Sequence, residues 1–283
     1  MLRMRVLVML DGTLADPDAP HLRVDDLGLI RGDGVFETVL VVDGAPRELG
    51  PHLDRLARSA RMLDLPEPDR AAWERVTRVV IDAWPEPGEM ALKLVYTRGP
   101  EFGDGTPTGF ALGLPLSPKA LRNRESGVSA VTLARGFDPD IVERAPWLLL
   151  GAKTLSYAVN MAAMRHAEAR GADEVIFFAA DDSVLEGPTS TAVLVNGRTL
   201  RTPPPSSGIL PGTTQGALFR AADRAGWTTK VEPFSRAELA RGDGLFLASS
   251  VRKITRVHTL DGIALPDSGA LGAELNALYE SEY

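Results

Sequence analysis

The sequence predicts an α+β protein built as two domains. Three observations carry that expectation. The chain has 283 residues, long enough for a large core and more often two domains than one. Its β-rich runs outnumber its helical runs in places and do not alternate strictly with them, which argues against a doubly wound sheet. A linker candidate, Pro115 to Asn123, separates two regions that each carry strands and helices. The expected division is a smaller N-terminal domain over 1–116, a linker over 117–123 and a larger C-terminal domain over 124–283.

The first strand is expected at Val6 to Leu10, before the turn signal Asp11-Gly12. This apolar run is too short for a signal peptide core, and no small-residue cleavage site follows it. Arg31-Gly32-Asp33-Gly34 then opens a β-rich run, Val35 to Val42, closed by the hairpin signal Asp43-Gly44. A helix starts near Pro51 with Leu53, Leu56, Ala57, Ala60 and Leu63 on one stripe; His52, Asp54 and Arg55 fall off it or at its edge. Asp69 to Ala83 reads as a second helix. Strands are expected at Ala91 to Thr97 and Phe110 to Leu114.

Beyond the linker, Gly127 to Leu133 reads as a strand and Arg135 to Ala145 as a charged loop. A helix is expected from Thr154 to Arg170, with Leu155, Ala158, Val159, Ala162, Ala163 and Ala167 facing inward and Gly171 as its stop. Strands follow at Glu174 to Ala179, Val184 to Glu186 and Thr191 to Val195, the last ending in the hairpin signal Asn196-Gly197. A helix opened by Ile209 to Thr214 and reaching Ala225, a helical piece at Arg236 to Ala240, strands at Gly244 to Ser249 and Ile254 to Leu260, and a helix from Asp267 to Tyr279 complete the chain.

Composition narrows the function. With 44% hydrophobic and 24% charged residues the chain reads as a soluble globular protein. A net charge of -7 argues against nucleic acid and anionic membranes as partners, since both reward basic patches. An anionic ligand would need a local basic pocket. The absence of cysteine excludes disulfides, iron-sulfur clusters and thiolate catalysis. No stretch approaches 18 apolar residues, so no membrane span is expected and the cytoplasm is the default location. The four histidines, His21, His52, His166 and His258, lack metal-ligand spacing, so no metal is expected. No P-loop, nucleophile elbow or complete dinucleotide fingerprint is present.

One lysine stands out. Lys153 follows the apolar run of Pro146-Trp147-Leu148-Leu149-Leu150 and a Gly-Ala step. Burial at the end of such a run disfavours the charged amine and favours a nucleophile or base. The alternative is a surface lysine whose stem lies over apolar neighbours. Glu186 ends an apolar strand before Gly187-Pro188, where it could bond a protonated heterocyclic nitrogen or point to solvent. Gly212-Thr213-Thr214 offers free amides and two hydroxyls at a helix N-terminus, and Ser249-Ser250 two hydroxyls at a strand end. Arg55 could supply the charge that a phosphate there needs, or sit on a solvated helix face.

Taken in order, these stretches resemble the class IV aminotransferases, the fold type IV enzymes that use pyridoxal 5′-phosphate. The resemblance runs from Arg31 to Gly262. Its most specific parts are Gly32-Asp33-Gly34-Val35-Phe36-Glu37-Thr38, the Lys153, Asn160, Gly171, Glu186-Gly187-Pro188 series, Leu210-Pro211-Gly212, and Phe246-Leu247-Ala248-Ser249-Ser250. It implies that Lys153 is the Schiff-base lysine and that Glu186 faces the pyridine nitrogen. It implies that Arg55, Thr213, Thr214 and Ser250 hold the phosphate. Thr38 is placed near the substrate, Arg98 is offered to a substrate carboxylate or to solvent, and Tyr157 stands near the cofactor without a fixed role. The family usually has Asn where this chain has Thr191, and Pro-Val where it has Arg256-Val257. The resemblance further implies two α+β domains, a small amino substrate and a homodimer. Among the family's activities the glycine motif is closer to 4-amino-4-deoxychorismate lyase and D-amino-acid aminotransferase than to branched-chain aminotransferase. The lyase is the reading preferred here, with a degenerate binding protein as the non-enzyme alternative.

Overall fold

The structure, a computed structural model, describes residues 4–138 and 140–283. Pro139 of the expected charged loop and the first three residues lie outside the described residues. The chain divides into two compact units. Unit 1 runs through Ser117 and takes back Ala152–Tyr157; unit 2 holds Pro118–Gly151 and Ala158–Tyr283.

Unit 1 contains β1 (Val6–Met9), β2 (Leu14–Ala15), α1 (Leu27–Ile30), β3 (Gly34–Val42), β4 (Ala45–Pro46), α2 (Leu49–Met62), α3 (Arg70–Ala83), β5 (Glu89–Thr97) and β6 (Thr108–Pro115). Among the described residues the strands form a six-stranded antiparallel sheet in the order β2-β1-β6-β5-β3-β4. The helices cover it for the reason their sequences suggest. Leu53, Leu56 and Ala60 of α2, and Trp73, Val76 and Val80 of α3, are buried stripes. Asp69 caps α3, its side chain accepting from the Ala71 amide. Along β3 side chains alternate between faces. Val35, Glu37 and Val39 are fully buried, with Glu37 bonded to side chains of α2, while Phe36 and Thr38 occupy the other face.

The returning segment corrects one expectation. Helix was expected from Thr154, but Ala152–Tyr157 runs extended along the edge of β3. Phe36 donates its amide to the Lys153 carbonyl at 3.1 Å, Leu155 donates to the Gly34 carbonyl at 2.8 Å, and Val35 and Thr154 form an antiparallel bridge. The edge of β3 satisfies the backbone groups that a helix would otherwise pair. Two glycines permit the approach. A Cβ on Gly32, whose φ is +70°, would lie 2.6 Å from Ser156 Oγ, and one on Gly34 would lie 2.8 Å from Leu155 Cδ1. Lys153 thereby belongs to unit 1, not to the C-terminal region in which the sequence boundary put it.

Unit 2 contains α4 (Pro118–Ser126), β7 (Val128–Ala134), α5 (Ile141–Arg144), α6 (Ala158–Glu168), β8 (Glu174–Phe178), β9 (Glu186–Gly187), β10 (Ser190–Asn196), β11 (Thr199–Thr202), α7 (Thr213–Arg224), β12 (Thr228–Val231), β13 (Gly244–Ser249), β14 (Lys253–Leu260), β15 (Ile263–Ala264) and α8 (Gly269–Glu280). Among the described residues its mixed sheet runs β12-β11-β10-β13-β14-β7-β8, with β9 beside β10 and β15 beside β14. Helices α7 and α8 pack on each other and on this sheet over a core that includes Val193, Leu218, Phe246, Leu275 and Tyr279.

Three further expectations change here. Most of the expected linker is helix, since Pro118–Asn123 lies in α4, where Pro118 at the first position costs no hydrogen bond. The apolar run before Lys153 is not buried: Trp147 is 74% exposed, and Leu149 adopts a left-handed φ of +54° that ends a short 3-10 turn. Helix α6 begins only at Ala158, and of its expected inward residues Ala167 is buried and Ala163 half-buried, whereas Val159 is 69% exposed.

Candidate active site

In unit 1 the site is built on β3, α2 and the strand-like segment around Lys153. Pairing with β3 fixes the Lys153 backbone on both sides: its carbonyl accepts from Phe36, and its amide donates to Ser59 Oγ of α2 at 3.1 Å. Its side chain follows the face of Phe36. The Nζ lies 4.3 Å from the centre of the Phe36 ring and 5.7 Å from that of Tyr157, and the two rings meet edge to face at 5.4 Å. Aromatic faces, and not the Pro146–Leu150 run, therefore form the apolar surroundings of the amine. Thr38, two residues after Phe36, shares this face of the sheet.

The opposite face of β3 holds a buried charge cluster that apolar periodicity does not reveal. Glu37 is fully buried. It accepts from Arg55 Nε at 2.7 Å, from Arg55 Nη2 at 2.6 Å and from His52 Nδ1 at 2.7 Å. Burial by itself would raise the Glu37 carboxyl, but the Arg55 charge and its bonds, with His52, outweigh burial and hold it well below the usual carboxylate range. Glu37 is thus an acceptor only, which puts the His52 proton on Nδ1. Burial pushes the His52 imidazole down; Glu37 pulls it up, and the Arg55 and Lys153 charges push it down further. Arg58 stands one turn after Arg55, and burial and Arg55 lower its pKa as well. Its Nη2 is buried without a hydrogen-bond partner. Arg55, placed by the sequence at the edge of a solvated face, is in fact 7% exposed.

Arg98 is used inside unit 1. Its guanidinium donates to both Asp33 oxygens, at 2.6 and 3.2 Å, and to the carbonyls of Leu63 and Asp64, at 2.6 and 3.2 Å. These bonds tie the Gly32–Gly34 turn to the C-terminus of α2. They make Arg98 a brace of the fold, and not the solvated loop arginine of the alternative reading.

In unit 2 the candidate residues sit on turns. Glu186 opens β9; its Oε2 accepts the Leu210 amide at 3.0 Å and its Oε1 lies 3.5 Å from Arg135 Nη1. Arg135 in turn lies over the Phe177 ring at 4.9 Å. The next turn is held by Asn160, which donates to the Pro188 carbonyl at 2.8 Å. Thr213 and Thr214 occupy the first turn of α7, both buried, and no side chain caps that helix end. Gly212 just before them packs so closely on Thr191 Oγ1 that a Cβ there would collide with it. Ser250 follows β13 and is half-buried. The structure thus gathers Lys153, Thr38, Arg55, Arg98 and Tyr157 in unit 1, and Glu186, Thr213, Thr214 and Ser250 in unit 2. Among the described residues no cluster of His, Cys, Asp and Glu could hold a metal ion, and no helix is long and apolar enough to cross a membrane.

Comparison with known proteins gives these elements a family. Residues 34–260 match the family model for amino-transferase class IV. The chain is 46% identical to a protein of Mycobacterium tuberculosis named bifunctional aminodeoxychorismate lyase / D-amino acid transaminase, over 92% of this chain and 93% of that protein. A solved structure described as a hypothetical aminotransferase from Mycobacterium tuberculosis in a PLP-bound form superposes with a TM-score of 0.95 at 45% identity, covering 99% of this chain and 100% of that one. The 4-amino-4-deoxychorismate lyase of Pseudomonas aeruginosa superposes with a TM-score of 0.77 at 28% identity, covering 93% and 96%. The α+β fold is that of the fold type IV enzymes, and the chain belongs to the class IV aminotransferase family of enzymes.

Proposed function

We propose that the chain is a pyridoxal 5′-phosphate enzyme whose main reaction converts 4-amino-4-deoxychorismate to 4-aminobenzoate and pyruvate. The observation that carries the reading is the lysine amine held over the Phe36 ring, with the Tyr157 ring beside it, on a backbone locked to β3. The donor set also fits the cofactor. Arg55 and Arg58 share one buried carboxylate, Glu37, and the Lys153 charge also acts on His52, so this part of unit 1 has a surplus of positive charge and an orphaned buried Arg58 Nη2. An anionic group offsets such a surplus. In unit 2 the uncapped start of α7 presents amides and two hydroxyls to an anion.

When bound, the cofactor supplies a carbonyl carbon for an amine and an aromatic ring able to withdraw electrons from the substrate's amine-bearing carbon. Lys153 would hold the cofactor covalently, and its amine would serve as the base for the proton on the substrate's amine-bearing carbon. Glu186 would face the ring nitrogen as its anionic partner, and Arg135 and the Leu210 amide hold its carboxylate in place. Arg55, Thr213, Thr214 and Ser250 hold the phosphate. Thr38, on the Lys153 face of the sheet, positions the enolpyruvyl group, whose C–O bond breaks as the ring becomes aromatic. Tyr157 packs edge to face on Phe36 beside the amine and is assigned no proton.

A second reading is D-amino-acid transamination, favoured by the name of the Mycobacterium tuberculosis relative. It needs the same residues. Lys153 would then act as acid as well as base, and no C–O bond of the substrate would break. Purified protein incubated with aminodeoxychorismate, and separately with D-alanine and 2-oxoglutarate, separates the two. Formation of 4-aminobenzoate supports the lyase; glutamate without any 4-aminobenzoate rejects it. A degenerate binding protein would give neither product and no visible absorption band that borohydride removes. The proposed working form is a cytoplasmic homodimer. Exposed Val24, Leu29, Ile30 and Phe102 in unit 1 and Trp147 and Val159 in unit 2 supply apolar surface for a second copy. Analytical ultracentrifugation giving a 30 kDa species at micromolar concentration would count against the dimer.

A further inference from the structure

Outside the residues assigned so far, unit 2 holds a strongly buried ion pair among its described residues. Arg252 is 8% exposed and Glu174 1% exposed, and Arg252 Nη1 donates to Glu174 Oε1. Arg252 Nη2 donates to Thr189 Oγ1 at 3.0 Å, and Nε donates to Ser249 Oγ at 3.4 Å. One guanidinium therefore joins three places. Glu174 opens β8, Thr189 lies in the turn just after Glu186-Gly187, and Ser249 ends β13 immediately before Ser250.

A buried ion pair is a poor device for stability alone. Desolvating both charges consumes most of their attraction, and a well-packed apolar pair often does as well or better. This pair is also incompletely satisfied, because Glu174 Oε2 is buried without a hydrogen-bond partner. The chain carries that cost where two turns must be fixed in register. One follows the ring-nitrogen carboxylate and the other bears the Ser250 hydroxyl. The second turn is itself strained, since Lys253 has a left-handed φ of +56°. Arginine suits the task because its planar fork of donors reaches three acceptors at once, which lysine cannot do.

We propose that Arg252 is a positioning residue for the phosphate end of the site, with Glu174 as its buried counter-ion. It acts through Thr189 and Ser249 to hold the Ser249-Ser250 turn in its anion-binding shape. The proposal rests on the reading of the chain as a pyridoxal phosphate enzyme. It predicts a loss specific to phosphate, which a brace for the fold as a whole would not produce.

The test is titration of the apoprotein with pyridoxal phosphate and, separately, with pyridoxal, followed by absorbance, together with thermal unfolding of the apoprotein. The double variant R252M/E174M removes both charges and keeps apolar volume. Its expected behaviour is pyridoxal affinity within about twofold of wild type and pyridoxal phosphate affinity at least about tenfold weaker. R252K should fall between. Thr189→Val and Ser249→Ala each remove one acceptor while leaving the ion pair, so they test the idea even if the double variant does not fold. Each is expected to weaken pyridoxal phosphate about threefold and pyridoxal not at all. Equal losses for the two compounds, or unchanged pyridoxal phosphate affinity in a folded variant, would overturn the proposal. Wild-type apoprotein that binds neither compound defeats the cofactor reading, and this inference with it.

Discussion

The two units carry their candidate residues in different ways. Unit 1 uses side chains on regular elements: Lys153 paired against β3, Glu37 within β3, and His52, Arg55 and Ser59 along α2. Unit 2 uses turns and backbone: Glu186 at a short strand held by the Leu210 amide, the first turn of α7, and the Ser249-Ser250 turn. On the proposed function the difference follows from what each half would do. A group that moves a proton needs a fixed backbone and a controlled charge environment, which a sheet edge and a buried ion cluster supply. An anion is better met by several amides and hydroxyls converging from chain ends. Mutations should therefore behave differently in the two halves.

The largest effect is expected at Lys153. Lys153→Ala should lower turnover by about a thousandfold or more, the upper range for a group acting as a general base, and abolish the visible band. The apoprotein should still unfold as wild type does, because the backbone bonds of Lys153 to Phe36 and Ser59 need no side chain.

Glu37→Gln should act on the fold. It leaves Arg55 and Arg58 without their buried anion, and breaking a buried pair in this way costs about 3–5 kcal/mol. Urea unfolding of the apoprotein would show it. The matching change in unit 2, Glu186→Gln, should do the reverse. Its side chain is partly exposed and its Arg135 partner is 3.5 Å away, so stability should change by less than about 1 kcal/mol. Turnover should fall about a hundredfold, as the ring nitrogen loses its anionic partner. Equal effects of the two substitutions on stability would erase the distinction between the halves.

The smallest effect is a pH dependence belonging to unit 1. Burial, the first cause, holds the folded-state His52 imidazole below its ordinary pKa. The unfolded chain then binds the proton more readily, so unfolding takes up a proton. The stability tied to a neutral His52 is fully present above the unfolded value, about 6.5, and is lost as pH falls below it. The slope should approach about 1.4 kcal/mol per pH unit. His52→Gln should flatten it in apoprotein melts between pH 7 and pH 5. Glu37 adds a loss of the same sign only below the ordinary carboxylate range, because its own pKa is depressed.

The same contrast explains what could be read from the residues. In unit 1 the stripes of α2 and α3 and the run of β3 show their period plainly, and these elements lie where the pattern puts them. Asn196-Gly197 likewise marks the β10–β11 hairpin. The path of Lys153 was not legible. Pairing with β3 joins residues more than a hundred positions apart, and local preference around Thr154 says nothing of a vacant sheet edge. Nor was the Glu37 cluster legible, since a polar residue off an apolar stripe looks solvated until its partner on another element is known. His52 and Arg55 at 3-residue spacing, with a carboxylate inside a β-rich run, were the available signal. Val159 misled in the opposite sense: its apolar character reads as core, yet α6 leaves it exposed.

The central claim is that Lys153 tethers the cofactor. The most direct measurement is borohydride reduction of the protein loaded with pyridoxal phosphate, followed by peptide mapping by mass spectrometry across its five lysines, Lys93, Lys119, Lys153, Lys230 and Lys253. The account predicts one reduced pyridoxyl group per chain, on the peptide containing Lys153. Label on any of the other four lysines with Lys153 unmodified, or no label at all, would contradict it.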